Sequence, residues 1–133
     1  VIIENQGKFF IIFGRRLIAI QGEEALQIKV IQWFKETYPE YAEDILHIAN
    51  ERKCTRLRGF ILKLMGVQAG VADIFLDIPK NGYRGMWLEL KYGKNKATES
   101  QKRFLARKSL QGYAAVCVVG FDAAKSFIDN YMQ

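Results

Sequence analysis

Val71-Ala72-Asp73-Ile74-Phe75-Leu76 and Met86-Trp87-Leu88-Glu89-Leu90-Lys91 are the two stretches whose reading decides the fold. Apolar residues alternate through both with period two, the signature of strands with one buried face. Ala72, Ile74, Leu76 and Ile78 share one face of the first, and Met86, Leu88 and Leu90 share one face of the second. The opposite faces carry Asp73 on one strand and Glu89 and Lys91 on the other. Strands this apolar disfavour Asp, Glu and Lys, so the charged trio calls for a chemical reason. Between the stretches, Pro79-Lys80-Asn81-Gly82-Tyr83-Arg84-Gly85 holds the residues of a hairpin connection, which makes the strands antiparallel neighbours.

Outward from this hairpin the pattern alternates between the two periods. On the N-terminal side, Phe9 to Phe13 and Leu17 to Ile20 flank Gly14-Arg15-Arg16 as a short apolar hairpin, or as an arm that packs on a partner subunit. Leu26, Val30, Trp33 and Phe34 mark one face of a helix from about Glu23 to Tyr38, which Pro39 stops. Leu46 to Ala49 reads as a short strand. A basic amphipathic helix follows from about Arg52 to Met65, capped by Gly66. On the C-terminal side, Tyr92 to Ala97 is a basic loop. Thr98 caps a helix from Glu99 to Gln111, and Gly112 ends it. Tyr113 to Val119 is apolar on both faces, as in a central or parallel strand. Asp122 then caps a last helix through Tyr131. The expectation is an α/β fold, a mixed central sheet flanked by helices.

The 133 residues suit one domain with a real core. A formal charge of +6 favours an anionic partner. Seven Lys/Arg stand between Lys91 and Lys108 against one acid, and five between Glu51 and Lys63, again against one acid. These segments flank the hairpin and suit a phosphate-contacting rim; two solvated helix faces are the competing reading. Cys54 and Cys117 are isolated, without the spacing of a Cys/His metal site, and fit a reduced, intracellular (cytoplasmic) setting with Cys117 in the core. No apolar run approaches the roughly 20 residues of a membrane helix. The opening segment also lacks the pattern of a signal peptide. Trp33, Phe34, Phe60, Trp87 and Phe104 read mostly as core. Tyr83 and Arg84 sit at a turn tip that either meets an anionic ligand or is simply solvated.

Period two sets Glu89 and Lys91 side by side, with Asp73 able to reach the same point from the adjacent strand. Two carboxylates with a substrate phosphate suffice for Mg²⁺, which keeps several waters. Such an ion polarises a phosphodiester and lowers the pKa of a bound water. Lys91 can orient that water and stabilise charge developing on the phosphate. The alternative is a structural Asp/Glu–Lys ion-pair cluster on a partly wet sheet face.

Beyond the trio, motifs recur in a fixed order: Glu24…Gln27, His47-Ile48-Ala49-Asn50, Gly70-Val71-Ala72-Asp73, Leu88-Glu89-Leu90-Lys91, Ser100-Gln101 and Gly112-Tyr113. This order resembles the PD-(D/E)xK nucleases, and within them the VRR-NUC (virus-type replication-repair nuclease) family. The resemblance runs from about Glu23 to the C-terminus, dividing the chain into an N-terminal hairpin or arm (1–22) and a nuclease domain (23–133).

The resemblance implies a restriction-endonuclease-like core and a DNA endonuclease that depends on Mg²⁺ or Mn²⁺. Asp73, Glu89 and the Leu90 carbonyl would be ligands, and Glu24 would reach the metal directly or through water. Lys91 would serve the water and phosphate, and Gln101 would position phosphate or the Lys91 amine. His47 and Asn50 would lie near the substrate strand. Lys94, Lys96, Lys102, Arg103, Arg52, Lys53 and Arg56 would contact DNA. Ala72 stands where the superfamily usually has Pro, which alters backbone stiffness but not the ligand.

Small stand-alone members resemble junction resolvases, so the resemblance implies an intracellular bacterial or phage-encoded enzyme. It would be a homodimer acting on branched or four-way DNA, with two sites for symmetric cutting. A flap or nicking nuclease of phage or mobile-element replication, or a non-catalytic DNA-binding module, are the other readings.

Overall fold

A computed structural model describes residues 2–49 and 54–133. The chain opens with three antiparallel strands, β1 (Ile3–Asn5), β2 (Lys8–Phe13) and β3 (Arg16–Ile20), in the order β1-β2-β3. The expected hairpin is therefore real and carries an additional strand within the same chain. A two-residue connection, Gly14-Arg15, joins β2 to β3. Gly14 takes φ 63° while Arg15 keeps a negative φ, the combination of a type II′ turn that matches strand twist.

Helix α1 (Gly22–Thr37) follows and buries Ala25, Leu26, Val30 and Phe34. After a 3-10 turn at Pro39–Tyr41 come β4 (Ile45–His47), α2 (Arg56–Leu64), β5 (Ile74–Leu76), β6 (Met86–Lys91), α3 (Glu99–Leu110), β7 (Ala114–Val119) and α4 (Phe121–Met132). The main sheet has the order β4-β5-β6-β7: β4, β5 and β6 are antiparallel neighbours, and β6 and β7 are parallel. It is mixed, as expected.

Leu26, Val30 and Phe34 of α1 and Ala124 and Ile128 of α4 join Ile74, Leu76, Met86 and Leu88 in one buried cluster. Removing water from these side chains is the main favourable term in folding. On the other side of the sheet, Phe75 stacks on Trp87, which meets Phe104 of α3 edge-on. The sheet thus lies between α1/α4 and α3. This is a restriction-endonuclease-like layering.

Several expectations shift in detail. Only Ile74–Leu76 of the first quoted stretch pairs as strand, because Asp73 spends its carboxylate on a backbone N–H where a ladder bond would continue. The strand Ala114–Val119 is parallel, but it lies at the end of the sheet rather than inside it. Gly120, not Asp122, occupies the N-cap of α4, and Asp122 lies in the first turn. Helix α2 starts at Arg56 behind the Thr55 cap; Asn50, Arg52 and Lys53 fall outside the described residues. Phe60, read as core, is 60% exposed. Its neighbours Leu57 and Leu64 are exposed too, so the apolar stripe of α2 faces away from the core. Cys117 is only partly buried. Among the described residues no helix is long and apolar enough to cross a membrane.

Candidate active site

The register Ile74↔Leu88 would bring residue 72 opposite Leu90 if β5 continued. It stops at Asp73, whose Oδ2 accepts a hydrogen bond from the Leu90 N–H at 2.9 Å. In an extended strand the carbonyl of a residue points to the same side as its N–H. The Leu90 carbonyl therefore faces the Asp73 side, beyond the end of β5. The Asp73 carbonyl is itself fixed by the Ile48 N–H at 2.8 Å. His47 Nδ1 lies 2.9 Å from that carbonyl oxygen and 2.9 Å from Gln27 Nε2, which sets the ring against α1.

Glu89 is 2% exposed. Its Oε2 accepts from Lys91 Nζ at 3.3 Å and from Gln101 Nε2 at 3.3 Å, whereas its Oε1 is buried with no partner among the described atoms. Gln101 is held at both ends. Its Oε1 accepts the Thr98 N–H at 2.8 Å, and Thr98 Oγ1 accepts the Gln101 N–H at 3.2 Å, a capping box at the start of α3. Sequence reasoning placed Gln101 near phosphate or the Lys91 amine. The structure sets it on the Glu89 oxygen that Lys91 also holds.

Burial, the nearby Asp73 charge and a hydrogen bond to Asp73 that only the protonated form can make raise the Glu89 pKa to about 7, against the lowering effect of Lys91. Two carboxylates converge where one cannot comfortably ionise beside the other. An orphaned buried oxygen, a neighbouring acid and a backbone carbonyl form an all-oxygen donor set. Those donors fit a hard divalent cation. Among the described residues no three His, Cys, Asp or Glu side chains gather as a metal cluster; a cation here would draw on the acidic pair and the Leu90 carbonyl.

A cavity of about 240 Å³ opens at this end of the sheet, lined by Glu24, Gln27, His47, Asp73, Leu90 and Tyr92 among others. Glu24 is thus at the same cavity as Asp73, but its Oε1 accepts the Gln21 N–H at 2.8 Å in the capping box of α1. Glu23, on the same wall, accepts from Asn95 at 2.8 Å and so ties the basic loop after β6 to α1. Lys94 and Lys96 stand exposed on that loop. Lys102 and Arg103 are exposed on α3, where Lys102 pairs with Glu99 at 3.3 Å. Arg56 stands exposed at the start of α2.

Two further residues shape the site. Cys117 lies directly opposite Glu89 in the parallel register, and burial and the Glu89 charge push its thiol pKa up. Parallel pairing was legible from the apolar run, but register was not. Gly70 takes φ +85°, and a Cβ there would come within 2.6 Å of the Ser100 backbone. The turn before Asp73 is thereby seated on the first turn of α3, next to Gln101. Gly70→Ala is expected to lower stability by about 2 kcal/mol or more, from the left-handed backbone and the clash together. Thermal unfolding reads this directly, and an unchanged Tm would mean the turn relaxes freely.

The raised Glu89 pKa has a definite sign. Between the ordinary value of 4.5 and about 7 the folded, metal-free protein keeps a proton that the unfolded chain has released. This group's contribution therefore favours folding at low pH and is lost as pH rises through that window. A cation held by Glu89 would have to displace the same proton, so on a metal-binding reading Mn²⁺ affinity should rise about tenfold per pH unit below 7 and level off above it. Calorimetry across pH 5.5 to 8.5 checks this; a flat profile would place the proton elsewhere.

The mixed sheet that carries Asp73, Glu89 and Lys91, with Asp73 on the cavity wall, has the fold of a nuclease-type domain. A solved structure described as a VRR_NUC domain protein aligns with 85% of this chain and 91% of its own length, at a TM-score of 0.74 and 29% identity. The likeness supports a VRR-NUC domain in this chain. No protein-family model matches the sequence, and no curated protein matches it.

Proposed function

We propose that this domain is a divalent-metal-dependent, structure-selective DNA endonuclease of the junction-resolvase kind, acting as a homodimer on branched or four-way DNA. The observation that carries the reading is the buried Glu89, whose Oε1 is unpartnered while Lys91 and Gln101 hold Oε2. Asp73, Glu89 and the Leu90 carbonyl would hold Mg²⁺ or Mn²⁺, with Glu24 reaching it through water. When bound, the ion would supply Lewis acidity to the scissile phosphate and acidify a water.

The chain's own groups do the rest. Lys91 carries a positive charge held at 3.3 Å from Glu89; there it would orient the attacking water and offset charge growing on the phosphate. Gln101 fixes the Glu89 rotamer. Lys94, Lys96, Lys102 and Arg103 would contact the phosphates, with Arg56 on α2 and His47 at the cavity wall. The homodimer reading draws support from Leu57, Phe60 and Leu64, exposed at helical spacing on one face of α2.

The test is cleavage of end-labelled four-way junction beside matched linear duplex, with and without Mg²⁺ or Mn²⁺. Paired, symmetric, metal-dependent cuts confined to the junction are expected. Equal cutting of both substrates would leave the metal chemistry and remove the selectivity. A single cut at a flap or nick would reassign the substrate. Binding without any cutting would favour a non-catalytic module.

A further inference from the structure

The tip of the β2–β3 hairpin is a part of the molecule that neither the core nor the candidate site uses. The base of the hairpin is packed: Phe9 meets Tyr92, which lines the cavity, edge-on at 6.2 Å, and Lys29 of α1 lies over the Phe9 ring at 5.6 Å. The tip is bare. Phe13 is 74% exposed, Ile12 58% and Leu17 56%. Phe13 pairs with Arg16 across the strands, and Ile12 with Leu17. Arg15 sits in the turn itself, and no acidic residue occurs between Asn5 and Gly22. An apolar tip thus carries two adjacent guanidinium groups.

Resting on the proposal that this domain acts on DNA, we propose that the β2–β3 tip is a wedge that enters branched DNA. Phe13 would insert at the unstacked branch point while Arg15 and Arg16 hold the flanking phosphates. Proteins that kink or sense distorted duplexes insert Phe, Leu or Ile between base steps in this way, with basic residues alongside. Opened steps at a junction lower the cost of insertion, which makes such a wedge discriminate structure rather than sequence. A second copy of this chain fits the tip less well. An isologous tip-to-tip contact would bring Arg15 and Arg16 against their own counterparts. Phosphate complements that charge.

Placement supports the same role. Four residue-to-residue rises along the strand separate Phe9 from Phe13, or about 13 Å at roughly 3.3 Å each. That corresponds to about four base-pair steps at 3.4 Å each. A wedge rooted on Tyr92 would therefore set the distance between the branch point and the acidic pair. Cut position would be measured from the branch rather than read from base edges.

The experiment uses the full chain in EDTA, with 2-aminopurine placed beside the crossover of a four-way junction and at the same step of a linear duplex. Wild type is expected to raise the fluorescence of the junction probe and not that of the duplex. Phe13→Ala should abolish the rise and weaken junction binding about tenfold, the scale of one lost base contact. Phe13→Leu, which keeps an apolar wedge, should retain most of it. Arg15→Ala with Arg16→Ala should flatten the dependence of log K on log salt by about 0.9 per lost phosphate contact.

Unchanged fluorescence and affinity in Phe13→Ala would overturn the wedge, while leaving the nuclease reading intact if wild type still cuts with metal. A wild type that neither binds nor cuts DNA would remove the nuclease reading and the wedge with it. If Phe13→Ala converts a dimer to a monomer by light scattering, the tip is a self-association surface and the wedge is overturned.

Discussion

Lys91→Ala is expected to reduce metal-dependent DNA cleavage by about 1,000-fold or more, the scale seen when a charge-stabilising or proton-transferring group leaves a buried site. Folding and most of the DNA affinity should survive, since Lys91 is one of 20 Lys/Arg in the chain. The variant also unmasks Glu89. With the ammonium 3.3 Å from Oε2 gone, the Lys91 charge and hydrogen bond that lower the Glu89 pKa disappear, and the carboxyl should hold its proton to higher pH. Metal affinity at pH 7 should therefore fall as well. Single-turnover cleavage beside Mn²⁺ calorimetry separates the two effects. Full cutting by Lys91→Ala would remove Lys91 from the chemistry.

Asp73→Asn is expected to have an equally large effect by another route. The amide keeps an oxygen that can still accept the Leu90 N–H, so the local backbone should hold. It lacks the charge that a hard cation needs. Mg²⁺ or Mn²⁺ affinity should drop by about 100-fold or more, since even outer-shell losses cost 10- to 100-fold, and cleavage should fall with it. A second signature distinguishes this from misfolding. Asp73 raises the Glu89 pKa through its charge and its hydrogen bond; with the charge removed, the Glu89 carboxyl should titrate closer to its ordinary value. Carboxyl-detected NMR titration of the metal-free protein would read the change. Unaltered metal affinity in Asp73→Asn would take this residue out of the ligand set.

The hairpin that holds the candidate site was legible because alternation is local. Ala72, Ile74, Leu76, Met86 and Leu88 are buried where period two puts them. The α3 helix was equally readable, because Thr98 and Gly112 bracket it with cap chemistry. What was hidden lies in long-range placement. That Gln101 reaches back to Glu89 depends on how α3 crosses the sheet, which no spacing encodes. Cys117 opposite Glu89 depends on parallel register. Phe60 looked like core because helical periodicity marks an apolar stripe without saying what the stripe faces. The premature end of β5 was hidden too: Asp73 satisfies the Leu90 N–H with its side chain, a substitution invisible in the alternation itself.

One side chain, Gln101, both closes the first turn of α3 and restrains Glu89. Helix ends are where local opening begins, well below the free energy of global unfolding. Each time the first turn of α3 frays, Glu89 loses its restraint although the sheet remains folded. On warming, function would therefore decay before the cooperative melt, and the gap between the inactivation temperature and Tm would measure how firmly that single turn is closed.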